Sequence, residues 1–466
     1  MGNIKNKYDV IIVGSGPAGI FTALEIAKNT SHSVLMLEKG VDIDKRVCPI
    51  KSDKNGDQCA KCKLCAILCG WGGAGAFSDG KLTLTHEVGG NLTDYISQEK
   101  TDELIKYVDD VYIKYGAPEK VFGKPTKRLN ALREKALKSD LELVATPIRH
   151  LGTDKTSALL TKIKNDLISA GVTIKFHEPV KSILEEKGKV VGVKTANNVE
   201  IFAKHVVVAP GREGAEWLGK EGARLNLKTL NNPVDIGVRV ELPAEVFKEI
   251  TDTTYEAKFK YYSKQFDDLV RTFCMNPYGE VVHEHNRGIV SVNGHSFKDK
   301  KTDKTNFAIL VSTNFTEPFN DPITYGRSVA TLANLLGDGL IVQRLGDLQK
   351  GQRSTAGRIE KGPIQPSLKG ATPGDLSFVL PYRYLCNIVE MLSALDEVAP
   401  GTASRHTLLY GVEVKFYSVR RSLDNDLMSS IKGLYFIGDG AGVSRGLVQA
   451  SVSGVVAANS IISSGN

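Results

Sequence analysis

The sequence predicts an α/β protein in which a parallel-sheet domain is interrupted by an inserted α+β domain. Three observations carry that expectation. An apolar run, Tyr8–Val13, leads straight into Gly14-Ser15-Gly16-Pro17-Ala18-Gly19 and a helix-period segment, Ile20–Ala27. A second strand–glycine–helix unit closes the chain: Gly433–Ile437, then Gly438-Asp439-Gly440-Ala441-Gly442, then Gly446–Ser463. Between them, residues 230–390 lose the strand–helix alternation. A continuous apolar run suits a strand buried on both faces, and the switch to helical period marks the passage out of the sheet.

Taken in order, the first unit continues into a second apolar run, Val34-Leu35-Met36-Leu37, which ends in Glu38 and Lys39. This is a βαβ unit with a dinucleotide fingerprint. Gly14 permits the tight turn, Gly16 lets a pyrophosphate approach the backbone, and Gly19 allows close helix–strand packing. The helix start at Pro17-Ala18 then faces the phosphates with unpaired N–H groups, and Glu38 is placed to accept hydrogen bonds from a ribose. Cys48–Leu82 reads as loop. Thr101–Tyr115 and Leu129–Lys138 read as helices, and Thr156–Ala170 as an amphipathic helix with Leu159, Leu160, Ile163 and Leu167 on one stripe. Short strand runs follow at Val172–Phe176, Val180–Ile183, Val190–Lys194 and Val206–Ala209. The insert is read as a strand Asp235–Glu241, an aromatic segment Tyr255–Phe266, a polar loop Asn286–Thr305, a strand Phe307–Ser312, and helices near Tyr325–Leu336 and Tyr382–Leu395. The expected boundaries are 1–225, 226–395 and 396–466.

Composition removes several classes. With 466 residues, 41% hydrophobic and 24% charged, the chain is neither fibrous nor disordered. No run of 18 apolar residues is present, so no transmembrane helix is expected. Asn6 breaks the myristoylation pattern and no signal-peptide core precedes Tyr8, so a cytoplasmic protein is expected. The net charge of +7 comes from scattered lysines rather than a basic block, which makes nucleic acid an unlikely partner.

Cysteine usage is concentrated. Five of the seven cysteines lie between Cys48 and Cys69, and Cys59, Cys62, Cys65 and Cys69 follow the spacing C-x2-C-x2-C-x3-C. That is the spacing of ferredoxin-type clusters, so a [4Fe–4S] cluster is the leading expectation. Structural zinc and a redox-active thiol pair are the alternatives. Gly70 stands where such clusters have Pro, and the fourth ligand is Cys69 or Cys48, with spacing favouring Cys69.

The two glycine-rich turns together resemble the two-part FAD signature of glutathione-reductase-like flavoproteins. That resemblance implies a Rossmann-like FAD-binding domain with an inserted α+β substrate domain. It places Asp439, after Gly438, at the ribityl chain, and Gly446, Leu447 and Val448 beside the flavin. It also places Val180 at the adenine through its backbone, and Ala209 and Gly211 at the crossover back to the flavin domain. Gly72-Gly73-Ala74-Gly75-Ala76-Phe77-Ser78-Asp79-Gly80-Lys81-Leu82 resembles a hallmark of bacterial and archaeal FAD-dependent dehydrogenases. Arg271-Thr272-Phe273-Cys274 and Val292-Asn293-Gly294-His295-Ser296 do likewise. Physically, the Gly72–Gly75 loop offers N–H groups to phosphates or flavin, and Lys81 a neutralising charge. No second G-x-G-x-x-G follows a strand between residues 140 and 300, so a stable NAD(P) domain is not expected.

Weaker candidates are Arg445, as a cation beside reduced flavin; His283, Glu284 and His285, better read as a hairpin end; His295; and an anion site at Gln352-Arg353-Ser354-Thr355 with Arg358. No catalytic acid is assigned. The resulting expectation is an FAD-dependent oxidoreductase of a small organic substrate at a domain interface. Electrons would come from a ferredoxin-type donor through the cysteine cluster, or from transiently bound NAD(P)H. A flavin-dependent RNA-modifying enzyme would show a basic face, and a non-catalytic electron-transfer or sensor module a flavin sealed from small molecules.

Overall fold

The computed structural model describes residues 6–48, 62–78, 80–144, 146–230, 233–254, 256–286, 288–296, 301–313, 315, 321–337, 339–415 and 420–465. The chain forms two units, one of residues 1–121, 147–230 and 418–466 and the other of residues 122–146 and 231–417.

The first unit is built on a mixed sheet. Its strands are β1 (Lys7–Val13), β2 (Val34–Leu37), β3 (Thr173–Lys175), β4 (Val180–Glu186), β5 (Lys189–Thr195), β6 (Glu200–Val208) and β7 (Leu434–Phe436). The order is β3-β2-β1-β6-β5-β4, with β7 also on β6. β6 serves two neighbours in turn: Glu200–Phe202 pairs antiparallel with β5, and Val206–Val208 pairs parallel with β7. Pairing of β1 with β2 and β6 is parallel, as the unbroken apolar runs require. The helices are α1 (Pro17–Asn29), α2 (Gln98–Lys114), α3 (Thr153–Ser169), α4 (Ala215–Arg224) and α5 (Leu447–Ser464). The leucine stripe read in α3 is buried, including Ile163 at 0% exposure.

Helix α5 is long and apolar enough in composition to cross a membrane, yet two thirds of it is buried within the protein. It packs on α1 at the closest approach chemistry allows. A Cβ on Gly454 would sit 2.2 Å from the Ala18 carbonyl oxygen, and the Thr22 hydroxyl donates to the Gly454 carbonyl at 3.2 Å. The small residues Ser451, Ser453, Gly454, Ala457 and Ala458 make it a core helix.

The second unit carries an eight-stranded sheet ordered Thr372–Pro373, Ile341–Arg344, Leu408–Lys415, Val234–Pro243, Lys304–Thr313, Leu269–Asn276, Lys258–Tyr262, Leu141–Val144. Two of those strands set the boundaries. Leu408–Lys415 pairs with Val234–Pro243, so the unit runs to residue 417 where the sequence placed its end at 395. Leu141–Val144 pairs with Lys258–Tyr262, which brings residues 122–146 into the same unit. The expected loop Asn286–Thr305 is corrected: Ile289–His295 is a strand paired with Glu280–Asn286. Ile289 and Val292, on opposite faces of that strand, are both buried, and Asn293, Gly294 and His295 at its end read as turn residues.

Candidate functional site

The fingerprint glycines divide by what surrounds them. A Cβ on Gly14, whose φ is +102°, would lie 2.2 Å from the Ala209 carbonyl oxygen, and one on Gly19 would lie 2.1 Å from the Gly14 oxygen. Both are demanded by the protein's own packing. Gly16 differs: the nearest atom to its Cβ position is the Gly73 Cα at 4.0 Å. Gly211 (φ +63°) and Gly446 (φ +96°) have no such neighbour within 4 Å. Three glycines thus open onto free space, which is what backbone needs when something else is to lie against it.

The Gly72–Gly75 loop closes over this turn. The Gly72 N–H donates to the Ser15 carbonyl at 2.9 Å. A Cβ on Gly73 would stand 3.1 Å from the Gly16 Cα, and one on Gly75 would stand 2.4 Å from a Leu447 methyl and 3.7 Å from Pro17. Gly14–Gly19, Gly72–Gly75 and Gly446–Leu447 therefore meet in one place. Two helix N-termini arrive there. α1 starts at Gly16 with Pro17 and α5 starts at Gly446; neither has a capping side chain or an acidic residue in its first turn. The helix dipoles and uncapped N–H groups favour an anion or a developing negative charge.

Asp439 follows Gly438 at the end of β7. Its carboxylate accepts from the Ser444 hydroxyl at 2.8 Å and the Gly446 N–H at 3.2 Å. Burial pushes its pKa up, partly countered by the Arg212 charge. Gly440 packs on Gly211, with a Cβ position 2.3 Å from the Gly211 oxygen, and the Ala209 N–H donates to the Val13 carbonyl at 2.8 Å. The crossover Ala209–Gly211 and the turn Gly438–Gly440 are consequently held beside Gly14. Val448 is buried in the first turn of α5.

Glu38 is buried at the end of β2, and its carboxylate is fully used by the protein. Oε2 accepts from the Ser15 N–H at 2.9 Å and hydroxyl at 2.8 Å; Oε1 accepts from the Gly40 N–H at 2.8 Å and the Gly70 N–H at 3.0 Å. It ties the fingerprint turn to the end of the cysteine segment. Lys39 pairs with Glu213 at 3.0 Å across a partly exposed surface. Lys81 lies on the strand Lys81–Thr83, which pairs with Ile148–His150, and Val180 opens β4 opposite Thr195.

Arg46 is a site residue that the sequence did not mark. It is 4% exposed, and its guanidinium donates to the carbonyls of Ala66 (2.9 Å), Ile67 (2.7 Å), Trp71 (2.6 Å) and Gly73 (2.8 Å). Burial lowers its pKa to about 10, against the pull of Glu38, Cys69 and Cys65. No spacing or periodicity distinguishes this arginine from a surface one.

Of the cysteines, Cys59 lies outside the described residues. Cys48 and Cys65 are half-buried, Cys62 is exposed and Cys69 is buried, with its thiol pushed up to about 11 by burial. Among the described residues, no group of three or more His, Cys, Asp or Glu side chains is placed to hold a metal ion. His283 lies on the strand Glu280–Asn286 of a hairpin, as the alternation suggested, and the His285 side chain is outside the described residues. His295 is exposed at the end of the partner strand. Ser354 donates to Asp347 at 2.6 Å and Arg358 lies 3.6 Å from it, so that segment is anchored by its own carboxylate.

Residues 233–416 match a family model described as "FAD-dependent protein, C-terminal domain-like", a span that coincides with the main segment of the second unit. An uncharacterized protein of Clostridium beijerinckii is 29% identical, the match covering 99% of this chain and 82% of that protein. Among solved structures, L-proline dehydrogenase from P. horikoshii is 12% identical with a TM-score of 0.41, covering 99% of this chain and 95% of that one. Formate oxidase from Aspergillus oryzae is 13% identical with a TM-score of 0.44, covering 100% and 99%.

Proposed function

We propose that this chain is an FAD-dependent oxidoreductase acting on a small organic substrate. The observation that carries the reading is the meeting of the Gly14–Gly19, Gly72–Gly75 and Gly446–Leu447 segments at two helix N-termini without side-chain caps, with open space beside Gly16 and Gly446 where side chains would otherwise stand. The family model matched by residues 233–416 supports it.

Each residue has a definite task in this account. The N-terminus of α1 and the Gly16 backbone hold the pyrophosphate, and the bare Gly16 Cα keeps the space clear. Asp439, fixed by Ser444 and the Gly446 N–H, accepts from ribityl hydroxyls. Gly446–Val448, at the start of α5, would hold the flavin end of the cofactor, where the helix dipole favours negative charge. FAD bound there supplies hydride and single-electron chemistry. Glu38 and Arg46 hold the surrounding loops in register.

A [4Fe–4S] cluster on Cys59, Cys62, Cys65 and Cys69, with Cys48 as the alternative fourth ligand, belongs to this reading on spacing alone. No step is assigned to it. Anaerobically purified protein decides both parts. Tightly bound FAD released on denaturation supports the reading, and flavin-free protein that takes up no FAD contradicts it. About four iron per chain supports the cluster, whereas one zinc and no iron removes it.

A further inference from the structure

One cavity of the first unit lies apart from the residues given a task above. It measures about 470 Å³ and sits between the last turn of α5 and the loop leading into β7. It opens at the Gly433 end of β7, whereas Asp439 follows the other end of that strand. The volume falls in the range of small-molecule sites, about 300–1,000 Å³. Two large side chains in its lining are held in place. Tyr435 is 2% exposed, with its hydroxyl 3.3 Å from the Ser460 hydroxyl, and the Met428 sulfur accepts from the Gly433 N–H at 3.4 Å.

The charges on the walls select the ligand class. Asp426 and Lys432 both line the cavity. Neither forms an ion pair with the other or with any other described residue. Opposite charges that face one cavity and do not meet leave room for a molecule carrying both signs. The other titratable groups in the lining are uncharged. Burial, with the Lys204 and His32 charges behind it, lowers the His205 pKa below the ordinary 6.5, and burial raises that of the Tyr435 phenol. Beyond the lining the signs balance. Asp424 gives one oxygen to the N–H groups of Asp426 and Met428 at 3.0 and 2.8 Å, and Lys189 is bridged to Lys432 through the backbone.

A ligand with one charge would satisfy one wall and oppose the other. An anion drawn to Lys432 meets Asp426 and the negative end of the α5 dipole, whose last turn holds no basic residue. A cation drawn to Asp426 meets Lys432. We propose that this cavity binds a zwitterionic α-amino acid with an apolar side chain. Its carboxylate lies at Lys432, its ammonium at Asp426 and the end of α5, and its side chain against Tyr435 and Met428. The proposal stands apart from the flavin reading and uses residues of the first unit only.

Ligand-observed NMR titration of the full-length protein tests it, with L-leucine as the probe. Isoamylamine and 4-methylpentanoate keep the leucine side chain with one charge each, and each should bind at least tenfold more weakly than L-leucine. Asp426→Asn and Lys432→Met change exposed side chains and should fold as the wild type does, yet each should weaken L-leucine binding at least fivefold. No binding of L-leucine by the wild type up to about 10 mM overturns the proposal. Equal affinity for the amine or for the acid overturns it too, since one charge would then suffice. Undiminished L-leucine binding in either variant places the amino acid elsewhere on the protein and overturns it as well.

Discussion

Substituting Ala at Gly16 and at Gly19 should separate a glycine kept for a ligand from one kept for the fold. At Gly16 the backbone is extended (φ −76°, ψ −179°), and the added methyl meets its nearest atom at 4.0 Å. The apoprotein therefore has no clash to relieve. Losing Gly at a helix N-cap costs about 1 kcal/mol, and stiffening the unfolded chain returns about 0.4–1 kcal/mol, so apoprotein stability should change by less than about 1 kcal/mol. The same methyl occupies the space where a pyrophosphate meets the helix N-terminus, and affinity for FAD should fall at least tenfold, about 1.4 kcal/mol. At Gly19 the methyl would lie 2.1 Å from the Gly14 carbonyl oxygen and 3.1 Å from an Ile12 methyl. Backbone cannot yield cheaply there, and a loss of about 3 kcal/mol or more is expected. Thermal melts of flavin-stripped protein and fluorescence titration with FAD read the two effects separately. A Gly16→Ala variant with wild-type FAD affinity, or one whose apoprotein melts as early as Gly19→Ala, would refute the reasoning.

Further outcomes follow from other residues. Glu38→Gln sets an amide NH2 among the four donors that the carboxylate now serves, so folding stability should drop by about 2–3 kcal/mol in denaturant melts; an unchanged melt contradicts that role. Arg46→Lys cannot span the carbonyls of Ala66, Ile67, Trp71 and Gly73, so the buried Cys69 thiol should become alkylated at least tenfold faster. For Asp9, burial raises the pKa, but the Ser33 N–H and hydroxyl and the Lys204 ammonium outweigh it and hold the carboxyl at about 2. A folded-state pKa below the ordinary 3.8 stabilises the fold above that value, by no more than about 1 kcal/mol once solvent screening of this exposed pair is allowed for, and the gain is lost as pH falls through about 2. The stability gap between wild type and Asp9→Asn should thus be full at pH 7 and close between pH 4 and 2; a gap independent of pH contradicts it.

The parts of the site legible in the sequence are those where local geometry and chemistry coincide. Gly14 and Gly19 announce themselves because a strand, a tight turn and a helix are contiguous, and the structure uses both for close packing. The C-terminal turn at Gly438–Gly440 was legible for the same reason, and it does settle against Gly211. The buried role of Arg46 was not, because a guanidinium wrapped by carbonyls some 20 to 27 residues further on leaves no periodic trace. Glu38 was found for its position after β2, but its bonds to Gly40 and Gly70 depend on how the cysteine segment folds back. Domain boundaries slipped where pairing is most distant. Leu141–Val144 finds its partner at Lys258–Tyr261, and nothing local signals that association.

The central claim is that the meeting glycine segments hold FAD, and the bound cofactor of the protein as purified tests it most directly. Denaturing the protein and separating the released small molecules by chromatography with mass detection should give FAD at about one per chain, with no nicotinamide nucleotide. Stoichiometric NAD or NADP without flavin would contradict the account, as would a protein that emerges empty and fails to take up added FAD.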